Sequence, residues 1–455
     1  MNTTGSPPRK LPSVLAIVGP GMIVAATGVG AGDLATGAFT GSKLGVAILW
    51  AVVLGAVLKF TVNEGLARWQ LATGTPLLEG VARHFGRWAM VLFLAYLVFW
   101  SYFVASALMS ACGVAASALV PAFADPARGK IVFGIAQSGL TVLLIHLGGF
   151  RWFERIMSGL VGVMFVIVVG TAIAIGPNWP KVLTGLFVPR IPDLDGEGLS
   201  WTLALMGGIG GTVTVLSYGY WIRDGGRSGL AELRICRWDL ASGYAMTALF
   251  GLGMVIIGSQ LLDLQGDPAK GTRFIIDLGR QIEQRLPSLG PVARWGFIVG
   301  AWAAVYSSML GVWQSVPFLF ADAWRLLWHG DGTADKVATR SPPYLAFQLA
   351  LATIPAIGLW FNFVEMQKIY AIVGALFIPV LAITLLVLNS RHELPTEGRN
   401  TWRSKIVLVF ALVLFAAAGV YEGIGQFGDD RPPPTPMPAP ATPPTNAIRP
   451  AAPPR

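Results

Sequence analysis

Charge is what this 455-residue chain has least of. Asp, Glu, Lys and Arg together make up 13% of it, about half the share of a soluble domain, while apolar residues reach 54%. So little charge excludes an ordinary soluble fold around one core and calls for lipid as solvent. Cysteine is nearly absent, and Cys112 and Cys236 cannot build a disulfide framework or a thiolate metal cage. Histidine is almost as scarce. His84, His146, His329 and His392 form no metal-spaced pair, and there is no HExxH and no nucleophile elbow, which leaves an enzyme without a catalytic constellation. The net charge of +9 sits in basic residues between apolar runs, with no aromatic-basic patch. That pattern excludes a nucleic-acid partner and reads as membrane topology.

What is abundant is apolar runs long enough to cross a bilayer, which takes about 20 residues. Eleven are expected, at 13–41, 45–70, 88–120, 131–149, 153–176, 199–221, 238–262, 293–325, 343–361, 366–389 and 403–424. They form one transmembrane domain, 13–424, after a polar segment 1–12. The stretch from Asp263 to Arg294 is long enough for an amphipathic helix outside the membrane. The Pro-rich tail 425–455 should be extended and without a core. Short loops on the N-terminal side carry most of the basic residues, among them Arg9, Lys10, Arg83, Arg87, Arg223 and Arg227. By the positive-inside rule the N-terminus is cytoplasmic, and eleven spans put the C-terminus outside an inner membrane of bacterial type.

The first and sixth runs are broken. In the first, Gly28, Gly30 and Gly32 alternate just before Asp33; in the sixth, Gly207, Gly208, Gly210 and Gly211 precede Thr212, Thr214 and Ser217. Each glycine costs a helix about 1 kcal/mol relative to alanine, so such clusters favour unwinding. Unwound backbone inside a bilayer survives only where protein or a watered cavity satisfies it. Interrupted helices at matching places in two halves mark the midplane site of a transporter, here with repeats at about 13–176 and 199–389. Asp33 adds an intramembrane charge, a functional group by default. An expected ion or substrate site therefore comprises Asp33, Gly30, Thr214, Ser217 and Asn63, with Asp33 and Thr214 as metal ligands. Gly28, Gly32, Gly210 and Gly211 form the breaks. Glu64, mid-helix beside Asn63, is either a proton or second-charge site or a structural group. Ser307, Ser308 and Gln314 read as packing, and Arg68 as a side chain that snorkels to the cytoplasmic face.

Several of these segments resemble the Nramp (natural resistance-associated macrophage protein) divalent-metal transporters. The shared features are Gly19-Pro20-Gly21, Ala35-Thr36 and Gly41-Ser42-Lys43-Leu44-Gly45 in the first run, and Leu66-Ala67-Arg68 with Ala72-Thr73-Gly74 in the second. Gly211-Thr212-Val213 in the sixth and Ser307-Ser308 in the eighth also match. The family's DPGN motif falls on Gly30-Ala31-Gly32-Asp33, so the aspartate position is glycine and the asparagine position is Asp33. Its MPH motif falls on Thr214-Val215-Leu216, and its tenth-helix glutamine on Phe377. The third run has no Asp or Glu where the family has proton-pathway acids.

The resemblance implies an all-α, leucine-transporter-like fold of two inverted five-helix repeats plus an eleventh helix. It also implies secondary transport of a divalent cation by alternating access between runs one and six, with H+ or Na+ as coupling ion and no tightly bound cofactor. Loss of the methionine sulfur favours hard ions, Mg²⁺ or Mn²⁺ over Fe²⁺ or Cd²⁺. Two alternatives stand beside this reading: an ion-coupled carrier of a small organic solute, and a non-transporting membrane receptor or assembly subunit.

Overall fold

The computed structural model describes residues 20–427 apart from 31, 149, 195, 263–269, 287 and 330–339. The N-terminal segment 1–12 and the tail beyond 427 lie outside the described residues. Within them the chain is helical. α1 (Pro20–Gly28) and α2 (Gly37–Leu44) flank one π-helical turn at Gly32–Thr36. α3 (Leu49–Thr73), α4 (Leu77–Leu119), α5 (Pro126–Leu147), α6 (Phe150–Ala174) and the short α7 (Trp179–Phe187) follow. α8 (Gly198–Gly208) and α9 (Ser217–Asp224) are again two halves of one interrupted pass. The rest are α10 (Leu233–Leu261), α11 (Lys270–Arg285), α12 (Gly290–His329), α13 (Pro342–Thr353), α14 (Phe363–Ala375), α15 (Phe377–Leu388) and α16 (Trp402–Phe427).

Ten stretches of the described residues are long and apolar enough to cross a membrane. The first, Gly32–Thr73, holds two passes. Gly37 lies against Met254 and Ser42 bonds Leu262, so α2 runs parallel to α10. Val52 lies beside Gly251 and Glu64 pairs with Arg237, so α3 runs antiparallel to it. The chain reverses at Gly45, whose φ of 66° a side chain would resist. Among the described residues eleven passes result, as the sequence led one to expect. Leu92, Phe99, Val166 and Val413 stand exposed on the outside of the bundle, as lipid-facing side chains must.

Several boundaries move. The third pass begins at Leu77 and turns at Gly86, whose backbone is not helical. α16 continues through Phe427, so 425–427 are helix and not tail. The amphipathic helix expected within 263–294 is α11. It buries Phe274, Ile275, Leu278 and Ile282, and Phe274 packs on Phe39 and Phe363. α7 was not foreseen; its nine residues are too few to announce themselves by periodicity.

The interrupted passes are the most enclosed part of the molecule, with α8 and α9 buried almost throughout. α3, α10, α12 and α14 pack around them.

Candidate functional site

The two breaks meet backbone to backbone. A side-chain carbon on Gly28 would come within 2.7 Å of the Gly211 nitrogen, and one on Gly32 within 2.7 Å of the Gly208 oxygen. Only glycine allows that approach. Gly210 and Gly211 both adopt positive φ, 71° and 82°, which turns the chain out of α8 before it re-enters helix at Val213.

An interrupted helix leaves its last carbonyls without intrahelical partners. At the end of α1, Ser308 Oγ donates to the Thr27 carbonyl at 2.8 Å. At the end of α8 the partner is a group the sequence reading passed over. Lys59 Nζ, from the middle of α3, donates to the carbonyls of Gly207 and Ile209 at 2.6 Å each, and also to that of Gly211. Lys59 is 1% exposed. The signal was present: a lysine inside the apolar run 45–70 carries the same functional default as Asp33.

Asp33 is fully buried. Its Oδ2 accepts the Gly210 N–H at 3.3 Å, and its Oδ1 has no hydrogen-bond partner. The side chain faces the α10 backbone at Gly251, with Ile209 and Val52 alongside. Asn63 donates to the Tyr244 hydroxyl, which reaches the Gly210 carbonyl at 3.4 Å. Asp33, Lys59, Asn63 and Tyr244 therefore form one polar flank of the sixth-pass break.

The other flank is a small cavity of about 10 Å³, room for one water-sized guest. Thr27, Gly30, Trp100, Thr212, Thr214, Ser308 and Tyr370 line it. Thr27 Oγ1, Thr212 Oγ1 and Trp100 Nε1 are buried there without a hydrogen-bond partner. A buried polar atom left unpaired costs about 1–3 kcal/mol, so three around one cavity mark a place for a polar guest. Ser308 belongs to this lining and is more than packing.

The expected site thus divides. Gly30 and Thr214 line the cavity, whereas Asp33 and Asn63 sit on the opposite flank, so Asp33 and Thr214 do not face one cavity. Ser217 lies farther along α9, beside Tyr220, Gln314 and Ser315. Both oxygens of Glu64 are engaged, one with Arg68 at 2.8 Å and one with Arg237 at 2.7 Å. Arg68 does not snorkel. It is 1% exposed and also bonds the Arg399 carbonyl and Asn400. Among the described residues, no three His, Cys, Asp or Glu side chains gather as a metal cluster.

Clasps close both ends. On one face Glu197, just before α8, binds Lys43 at 2.6 Å and Lys368 at 2.8 Å, and both ammonium groups lie over the Trp201 ring. Burial would raise the Glu197 carboxyl, but the hydrogen bonds and charges of Lys368 and Lys43 outweigh it and hold it at about 2. On the other face Asp239 accepts the Gly21 N–H at 2.9 Å and pairs with Arg227 at 2.7 Å.

Comparison with known proteins places this geometry in context. A profile of the family described as natural resistance-associated macrophage protein-like matches residues 21–424. The chain is 25% identical over 438 residues to divalent metal cation transporter MntH 1 of Pseudomonas aeruginosa, covering 84% of this chain and 92% of that one. It is 25% identical over 286 residues to the MntH transporter of Chromohalobacter salexigens, a match spanning 58% of this chain and 61% of the relative. Among solved structures, a mutant of the Eremococcus coleocola manganese transporter aligns over 95% of this chain and 92% of its own, with TM-score 0.72 and 16% identity. MhsT in complex with L-phenylalanine aligns over 89% and 97%, with TM-score 0.59 and 15% identity.

Proposed function

Because the chain belongs to the Nramp (natural resistance-associated macrophage protein-like) family, an integral membrane family with the leucine-transporter-like fold, we propose that it is a secondary transporter of a divalent metal cation. The cation passes the midplane between the first- and sixth-pass breaks, and the two clasps open in turn. The observation that carries this reading is the cavity where the breaks meet. Its donors are hydroxyl oxygens, Thr27, Thr212 and Thr214, with the Asp33 carboxylate buried behind Gly210 as the negative charge. Relatives named as divalent metal cation transporters support the same cargo.

Oxygen donors without thioether or imidazole suit hard ions, so Mg²⁺ and Mn²⁺ are favoured over Fe²⁺ and Cd²⁺. The arginines Arg68, Arg227 and Arg237 gather at the Glu64 end, which supports a cytoplasmic assignment of that face and, with it, of the N-terminus. With eleven passes the same reading has the C-terminus outside. H⁺ or Na⁺ would couple to the cation.

One observation favours a second reading. The Lys59 ammonium beside Asp33 offsets the charge a divalent ion needs, and Trp100 and Tyr370 give the cavity aromatic walls. A small organic solute would tolerate both, once the water-sized cavity widens as one face opens.

Uptake into proteoliposomes separates the two. Mg²⁺ or Mn²⁺ should accumulate well above Cd²⁺, and Asp33→Ala should abolish uptake in folded protein. If well-folded parent moves none of Mg²⁺, Mn²⁺, Fe²⁺, Cd²⁺ or Ca²⁺, the metal reading falls and the organic-solute reading replaces it.

A further inference from the structure

Backbone carbonyls freed by an interrupted membrane helix are where transporters of this architecture hold cations. In this chain three such carbonyls, those of Gly207, Ile209 and Gly211, converge on one ammonium group. A lysine has three N–H donors, and here each has its own carbonyl. The carbonyls belong to the C-terminal end of α8, where the helix dipole is negative. The carboxyl of Asp33 stands across Gly210. The lysine stem reaches the break from the middle of α3, and Lys59 is 1% exposed.

An ordinary helix C-terminus would be capped by glycine geometry or by water, at no cost in buried charge. Burying a lysine instead costs several kcal/mol unless its charge is matched. The match in hydrogen bonds is complete, with the Asp33 carboxyl close by, and it is made at the place where a free ion would find the same ligands. We propose that Lys59 is a tethered cation: it fills the carbonyl seat of the sixth-pass break in place of a dissolved ion, so the break needs no free monovalent cation to hold its shape. This goes beyond the transport reading and does not depend on which cargo is carried, because its test reads cation binding and not uptake.

The experiment is thermal unfolding of the full-length protein in detergent, in choline chloride against NaCl, KCl and NH₄Cl at equal ionic strength. Parent protein should unfold at one temperature in choline chloride, KCl and NH₄Cl, and any rise in NaCl from a coupling-ion site should be shared by the variants. Lys59→Met frees the three carbonyls while keeping the stem, and a cation small enough to enter should raise its midpoint by at least about 3 °C over choline. Lys59→Ala provides the second variant, because it removes the stem and leaves room for an alkylammonium ion. n-Butylammonium should stabilise it and neutral n-butanol should not. Should either variant be recoverable only in a salt whose cation fits, the seat is likewise confirmed. The proposal is overturned if folded Lys59→Met and Lys59→Ala are indifferent to every cation, if parent responds as the variants do, or if no salt recovers either variant. Failure of metal uptake by the parent would instead sink the cargo assignment and leave this result standing.

Discussion

At the scale of single residues the interior of this molecule is governed by where each buried charge finds its counterpart. Glu64 illustrates the point. A carboxylate in mid-helix could carry protons, but both of its oxygens are held by Arg68 and Arg237. Glu64→Gln should therefore cost stability and not transport. Hydrogen bonds to charged groups contribute about 1.5–3 kcal/mol, and Arg68 keeps its bonds to Arg399 and Asn400. A loss of about 2 kcal/mol in denaturant unfolding, with initial uptake rates close to the parent, is the expected result. Unchanged stability with lost pH dependence of uptake would return Glu64 to the proton path. The site itself was only half legible in sequence. Asp33 and the glycines stood out because carboxylate and unwinding are both rare in a bilayer. Lys59 and Ser308 did not, since a lysine can be a snorkelling end and a serine can be helix glue. Distance to the α8 carbonyls and to Thr27 is what gives each of them its meaning.

At the scale of elements, the Lys43–Glu197–Lys368 clasp ties the end of α2, the start of α8 and the second turn of α14. Two of these are halves of the interrupted passes, so opening that face requires the clasp to part. Its pH dependence follows from the carboxyl held at about 2 against an ordinary 4.5. A depressed value means the clasp contributes fully above about 4.5 and is lost as the pH falls from there toward 2. Glu197 is half exposed, so solvent screens the pair and the effect on global stability is small. The local effect should be visible. Amide hydrogen exchange in α2 should quicken in Glu197→Gln at neutral pH, and the parent should come to match it as acid protonates Glu197. Equal protection in the two proteins at neutral pH would show that the clasp does not hold α2.

At the scale of the whole molecule, the breaks lie at the centre of the bundle and both approaches are shut. On the proposed mechanism the midplane is reached only when one side moves. A cysteine at position 214 reports this, because Thr214 lines the central cavity and is 5% exposed. Thr214→Cys should react with a small methanethiosulfonate reagent far more slowly than an exposed cysteine, and adding Glu197→Gln should speed the reaction several-fold. Labelling as fast as at the surface would contradict a site closed on both faces. No acceleration by the second change would mean that other contacts gate that face.

The sequence by itself determined the solvent, the number of passes and the positions of the two breaks. Those follow from properties written locally along the chain: apolar runs of bilayer length, glycine clusters, and an acid, Asp33, beside the first cluster. It also determined the family, through short motifs at fixed spacing. What only the tertiary structure decided is which groups share a space. Asp33 and Thr214 are on opposite flanks of one break because Gly210 and Gly211 turn the backbone between them. Glu64 is engaged by an arginine 173 residues away, and Lys59 by carbonyls about 150 residues away. Charge pairing inside lipid is a long-range property of the packed bundle. A side chain's partner is set by which helices lie against its own, and no window along the chain contains that information.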